Sequence, residues 1–276
     1  MNVSKRSLNM FIKAIKCFWL AFFGMWCLYG AAAHGQESSD ADLDIAGSES
    51  AGGGGNASNP LAAVSNVDLR WKYLDLVSNA GRINDYFIDG AFMVNPKLKI
   101  KYELHYWETN VTGKSESDFE KAVVKIIYFP TQGMLKSGAK YRVAVGMDLI
   151  ADFGNMDKGI GLGADQIGPF AGVALMLEQG WVLIPLVQHF HGISGVDLNI
   201  TAARLIAIKT LPNEWWLKLD AKLPYDWEAK TIPADAEIQL GKNINKKLAL
   251  YVEGQFGIGG DRLYDWGVGL GIRFKF

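Results

Sequence analysis

The sequence predicts an all-β fold, a transmembrane antiparallel up-and-down β-barrel of the outer-membrane type with about twelve strands. Three observations lead to this prediction. The closing segment alternates between apolar and other residues, similar segments precede it, and tight turns alternate with longer links along the chain. A period of two is the pattern of a strand whose two faces meet different surroundings, here lipid and a polar interior.

The closing segment, 264–276, alternates most clearly. Its apolar residues are Tyr264, Trp266, Val268, Leu270, Ile272, Phe274 and Phe276. A soluble protein seldom ends on its most apolar strand, because chain termini tend to fray. Gly271, Phe274 and Phe276 resemble the carboxy-terminal signal of outer-membrane barrels. We therefore expect the outer-membrane assembly machinery to be a partner of this chain.

The other face of the same segment is nearly bare, because it carries Gly267, Gly269 and Gly271. A glycine inside a strand leaves room for another side chain to pack closely. We expect this part of the wall to contribute little chemistry, so any selectivity should come from charged faces opposite it.

Residues 1–33 predict a secretory signal peptide. A basic start with Lys5, Arg6, Lys13 and Lys16 precedes an uncharged run at 17–30, which is shorter than the roughly 20 residues of a membrane-spanning helix. Small residues at 31–33 supply a cleavage site. The two cysteines, Cys17 and Cys27, both lie in this segment, so we expect no disulfide or thiol chemistry in the mature protein.

Two further parts are predicted after the signal peptide. Residues 34–59 are rich in Gly, Ser and acidic residues and predict a disordered leader, and residues 60–276 predict the barrel. The net charge of −1 provides no basic excess for a nucleic-acid partner. Together these parts predict secretion to the periplasm and insertion into the outer membrane of a Gram-negative cell, with membrane lipid as a partner.

Twelve segments of the barrel region have the length of a tilted membrane strand. They lie at 66–77, 85–95, 97–109, 119–129, 140–153, 167–177, 181–191, 197–210, 215–227, 232–242, 247–258 and 264–276. The fourth, sixth and eighth segments do not alternate clearly, so counts of ten or fourteen strands stay open.

The links between these segments differ in length. Tight turns are predicted near 95–97, 178–180, 211–214 and 242–245, whereas 110–118 and 154–166 are longer. Short periplasmic turns and longer outer loops are typical of outer-membrane barrels, and the link at 130–139 is long for a periplasmic turn. Closure is expected because unpaired edge amides in hydrocarbon cost several kcal/mol each.

Charged residues fall on the face that alternation turns inward. They are Asp68, Arg70, Lys72, Asp89, Lys99, Lys101, Glu103, Arg142, Asp148, Lys218, Asp220, Lys222, Asp235, Glu237, Glu253, Arg273 and Lys275. One interpretation is a pore lining that filters solutes by charge and size. The other is a lumen packed with ion pairs that only stabilise the barrel.

Other chemistry finds little support in the sequence. His189 and His191 share one strand face and are expected at the outer rim, but two ligands are too few for a zinc site. A lipid hydrolase needs a serine activated by a histidine, and Ser194 is three residues from His191 rather than the two that share a face. We expect no catalytic residue, no metal and no cofactor.

Several segments resemble a family of bacterial outer-membrane transporters that includes MetA-type proteins of phenol-degradation pathways and proteins called neuromedin U. The segments are 60–64, 183–189, 192–195, 225–229, 251–254 and 265–269. The resemblance implies a barrel of about twelve strands that moves small solutes, including apolar or aromatic ones. The predicted function is therefore passive passage of small solutes, not enzymatic, with a lipid hydrolase or a sealed structural or adhesive barrel as alternatives.

Overall fold

The computed structural model describes residues 59–276, most of which lie in β-strands. The predicted signal peptide and all but the last residue of the predicted leader lie outside the described residues. In the described part of the chain, no helix is both long enough and apolar enough to cross a membrane.

Thirteen strands follow one another along the described chain, twelve of them long and one short. They are β1 (Asn66–Leu76), β2 (Arg82–Asn95), β3 (Leu98–Thr109), β4 (Glu116–Tyr128), β5 (Gln132–Met134), β6 (Lys140–Asp152), β7 (Ala164–Met176), β8 (Trp181–Gly195), β9 (Asn199–Thr210), β10 (Trp215–Asp226), β11 (Ala234–Asn243), β12 (Leu248–Ile258) and β13 (Tyr264–Lys275). Single turns of 3-10 helix occupy Val77–Asn79, Met156–Lys158 and Glu178–Gly180.

The long strands form a closed ring. Each pairs antiparallel with its sequence neighbours, β4 pairs directly with β6, and the short β5 pairs only with the start of β6. The closing strand β13 pairs with β1, with Asn66 opposite Lys275 and Trp71 opposite Leu270. The predicted twelve-stranded antiparallel barrel is confirmed, and closure leaves no edge of the ring unpaired.

The two ends of the barrel differ. The end that carries Asn66 and Lys275 has the short turns 96–97, 177–180, 211–214 and 244–247, and also the longer link 129–139 that contains β5. The longest link of the opposite end is 153–163. Because outer-membrane barrels keep their short turns in the periplasm, we call the first end the periplasmic end and the second the outer end.

The outward face is apolar. Leu69, Val187, Leu205 and Leu270 are each about half exposed, between 45% and 55%. Aromatic residues flank this band at both ends, with Trp181 and Trp215 near the periplasmic end and the pairs Tyr73–Trp266, Tyr106–Phe119 and Tyr225–Trp227 toward the outer end. An apolar band between two aromatic girdles is the lipid-facing surface of a membrane barrel.

Candidate functional site: the barrel lumen

An ion-pair ribbon runs around the lumen at mid-height, from β2 through β1 and β12 to β9. In order, its members are Asp89, Arg70, Glu253, Lys72, Glu237, Lys218, Asp220 and Arg204. Lys72 Nζ and Lys218 Nζ lie 3.0 and 2.8 Å from the two oxygens of Glu237. Arg204 binds both oxygens of Asp220, at 2.7 and 2.6 Å. Alternating signs let charges that are poorly hydrated compensate one another.

A second cluster joins the first strand to the last two. The carboxylate of Asp68 on β1 is fully buried and accepts hydrogen bonds from Nε and Nη2 of Arg273 on β13. It also accepts from the Tyr251 hydroxyl at 2.7 Å and from Asn66 Nδ2 at 2.7 Å. These contacts span the seam where the barrel closes. We call this group the seam cluster.

Glycine is required where large rings lie flat against the inner wall. A Cβ added to Gly271 would lie 2.1 Å from Tyr251 Cζ, and one added to Gly241 would lie 2.1 Å from Trp216 Cζ2. The predicted bare stripe on β13 is therefore covered by its neighbours. Glu253 lies directly across from Gly269 in the sheet, so charged groups crowd beside the stripe. The expectation that selectivity comes from the charged faces opposite the stripe stays a prediction.

The lumen also has an apolar wall, in the periplasmic half and mainly on the inner faces of β4 and β6–β9. Its buried members are Ile127, Phe129, Ala144, Ala174, Ile184, Ile206 and Ile208. Met93, Phe170, Met176, Val182 and Leu186 pack against this wall. Leu61, from the segment before β1, is buried in the same cluster. The lumen is thus lined by charge on one side and by hydrocarbon on the other.

Polar groups continue above the apolar wall and along β3. Lys125 Nζ lies 3.0 Å from Asp148, whose carboxylate also accepts a hydrogen bond from Gln188. Lys101 is on the inner face of β3 opposite Lys125 and forms no ion pair or hydrogen bond with any described residue. Its charge is attracted by Glu103 and Asp89 and repelled by Lys125 and Arg204.

His105 is a further lumen residue, and it binds two carboxylates. Its Nδ1 lies 2.9 Å from Asp85 and its Nε2 lies 3.3 Å from Glu103. The ring stacks on Phe87 with centroids 4.5 Å apart. The period of two predicts that His105 and Glu103 share one face. The register of β2 against β3, which brings Asp85 close to His105, is known only from the structure.

The remaining predicted lumen residues also lie on inner faces. Lys222 is 3.6 Å from Asp235 near the outer end, and Lys275 donates to Asn243 at the periplasmic end. Lys99 and Arg142 are buried at the periplasmic end, where they bind backbone carbonyl groups. The structure therefore brings the predicted charged residues to one surface, the lumen.

The predicted rim histidines face outward. His189 Nδ1 hydrogen-bonds the Thr201 hydroxyl at 2.9 Å, and Thr201 accepts a further hydrogen bond from Trp227 Nε1. His191 is exposed, and Ser194 donates to Asp165 at 2.8 Å instead of binding this histidine. Among the described residues, no group of three or more His, Cys, Asp or Glu side chains is arranged to hold a metal ion.

The residues of the predicted assembly signal lie on the two faces of β13. Phe274 is exposed on the lipid face, and Phe276 is 77% exposed just beyond the strand. Gly271 faces inward beneath the ring of Tyr251. Recognition by the assembly machinery stays a prediction.

Three solved outer-membrane proteins share this architecture. NanC porin superposes with a TM-score of 0.59 at 11% identity, over 76% of this chain and 100% of NanC. An outer membrane channel from Pseudomonas putida F1 gives 0.55 at 9% identity, over 78% and 97%. KdgM porin gives 0.53 at 9% identity, over 76% and 99%. No protein-family model and no curated protein matches the sequence. At these identities the likeness establishes the fold alone, which is that of an outer-membrane, porin-like β-barrel.

Proposed function

We propose that this barrel lies in the outer membrane of a Gram-negative bacterium and lets small solutes pass through its lumen without chemical change. The carrying observation is the lining of the lumen, which presents charged side chains that are only partly covered. The side chains of Lys222, Lys121, Glu103 and Arg204 are 44%, 29%, 27% and 25% exposed. Groups that line a pore select solutes by charge and size.

The mixed lining supports a particular class of solute. A small molecule with both a polar and an apolar side would contact the ion-pair ribbon with one side and the apolar wall with the other. Apolar or aromatic solutes are also what the resemblance to MetA-type transporters implies, and membership of that family is part of this proposal. The fold shared with the porins and the channel described above is consistent with passage through the lumen.

Planar-bilayer recording of refolded full-length protein tests the proposal. Lys101→Gln removes a lumen charge that has no ion-pair partner among residues 59–276, and we expect it to shift the reversal potential toward cations. Lys209→Gln is the matched control, because Lys209 lies outside the barrel over the ring of Trp181. Single-channel steps that respond only to the first variant support a pore. A silent barrel with no solute uptake into liposomes would contradict the proposal.

A further inference from the structure

A short turn before β1 occupies the periplasmic mouth of the lumen. Asn59 and Leu61 are 8% and 5% exposed, although they precede the first strand. The turn is closed by a hydrogen bond from Ala62 N to Asn59 O at 3.0 Å and by one from Leu61 N to Asn59 Oδ1 at 2.9 Å. A segment outside the sheet is buried and hydrogen-bonded in this way only when the barrel supplies a site for it.

Two buried cations hold this turn. Lys99 Nζ donates to the carbonyl oxygens of Pro60 and Ala62, at 3.2 and 2.7 Å. Arg142 Nη1 donates to the Leu61 carbonyl at 3.3 Å. Both cations are more than nine-tenths buried, yet neither has a carboxylate within ion-pairing distance among residues 59–276. Burial of a charge without an opposite charge is costly, and carbonyl dipoles compensate it only in part.

Arg142 is fixed in place independently of the turn. Its Nη2 donates to the Pro96 carbonyl at 2.8 Å, and its guanidinium lies 3.6 Å from the centroid of the Phe129 ring. Arginine on an aromatic face keeps its remaining donors free for a planar anion. Arg142 therefore keeps its position when the turn leaves, and Lys99 loses the two carbonyl acceptors that the turn supplies.

The side chain of Leu61 supplies the apolar contact of this turn. It packs into the buried cluster of the apolar wall that includes Ile127, Ile184 and Ile206. The turn thus presents one branched aliphatic group to hydrocarbon and its carbonyl oxygens to two cations. An organic anion with an apolar body and a carboxylate head would present the same two features.

We propose that Lys99, Arg142 and the apolar wall form a binding site for small amphipathic carboxylates, and that the Asn59–Ala62 turn is a plug that occupies this site until such a solute displaces it. The inference rests on the proposed function and names its solute class. A carboxylate forms stronger hydrogen bonds to the two cations than a neutral carbonyl does. The plug is tethered to β1, which gives it an effective concentration on the order of millimolar, so solutes in that range compete with it.

Open probability in planar bilayers, measured with full-length protein, tests this assignment. Benzoate is the probe, and chloride at equal ionic strength is the reference anion. We expect benzoate added on the periplasmic side to raise the open probability of the unmodified barrel by roughly tenfold or more, because its carboxylate binds the two cations more strongly than the carbonyl groups that it displaces. Benzyl alcohol, which lacks the carboxylate, should leave it unchanged.

Variants separate the plug from the site. Leu61→Ser should open the barrel in chloride alone, whereas Ala63→Ser, at an exposed position of the same segment, should not. The double variant Lys99→Gln with Arg142→Gln should lose the benzoate response, and Lys97→Gln, an exposed lysine at the same mouth, should keep it. Heat-modifiable mobility on detergent gels verifies that each barrel has folded.

Two results would overturn the inference while leaving the proposed function intact. One is an unmodified barrel that conducts equally in benzoate and chloride. The other is a Leu61→Ser barrel that behaves like Ala63→Ser. A barrel that is silent in every variant and every salt would overturn both proposals.

Discussion

The charged and the apolar side of the lumen differ in what covers their side chains. The charged side, from β10 through β13 and β1 to β3, covers most of its charged groups with opposite charges from neighbouring strands, as the ion-pair ribbon with Arg204 of β9 shows. The apolar wall is covered in part by Leu61, which comes from outside the sheet and is buried against it. Ion pairs between neighbouring strands compensate one another without a further group. An apolar surface in contact with water is stabilised when another apolar group covers it.

The two sides of the lumen should also differ in how much a mutation lowers the stability of the barrel. Removing one member of a buried ion pair leaves its partner uncompensated, so the charged side should be where the barrel is most sensitive to mutation. Small changes in the apolar wall should alter the packing and lower the free energy of unfolding by a smaller amount. Substitutions on each side of the lumen, with controls on the outer face, test this difference in stability.

The largest effect is expected at the seam cluster. Asp68→Ala leaves the Arg273 guanidinium and the Tyr251 hydroxyl without their shared acceptor, and we expect a loss of about 3–5 kcal/mol in the free energy of unfolding. Urea unfolding in detergent or lipid measures it. Asp265→Ala is the control, because its ion pair with Arg262 is about 40% exposed and should contribute less than about 1 kcal/mol. Equal losses for the two variants would show that the seam cluster is unimportant.

A smaller effect is expected in the apolar wall. Ile206→Val deletes one buried methylene from a side chain that is 1% exposed, which should cost about 0.5–1.5 kcal/mol. Ile238→Val makes the same change on the lipid face, where the side chain is 44% exposed. We expect a smaller loss there, measured by the same unfolding experiment. A larger loss at Ile238 would mean that the inner wall is loosely packed.

The same comparison explains which strands could be predicted from the sequence. Strands of the charged side alternate, so β3, β10, β11 and β12 were recognised with their faces correctly assigned. The fourth, sixth and eighth predicted segments did not alternate, because Ile127, Phe170 and Ile206 face the lumen and are as apolar as the lipid-facing residues beside them. In addition, β4 carries a bulge near Glu120 that breaks its period of two.

The contacts between lumen side chains cannot be predicted from the sequence. Alternation predicts that Arg70 and Glu253 point inward, but their hydrogen bond joins residues 183 positions apart and depends on closure of the ring. The short β5 has only three residues and no pattern to recognise. The burial of the Asn59–Ala62 turn is also not predicted, since Asn59 falls in a segment whose composition predicts disorder.

Thiol labelling tests whether the inner face of the barrel lines the path of the solute. The two cysteines of the chain, Cys17 and Cys27, lie in the predicted signal peptide, so an introduced cysteine is a unique label in the mature protein. A charged, membrane-impermeant thiol reagent is added while single-channel current is recorded from Lys101→Cys and Lys209→Cys barrels. We predict that modification lowers the current of the first variant and leaves the second unchanged. Equal responses, or no response at position 101 in a conducting barrel, would contradict a solute path along the inner face.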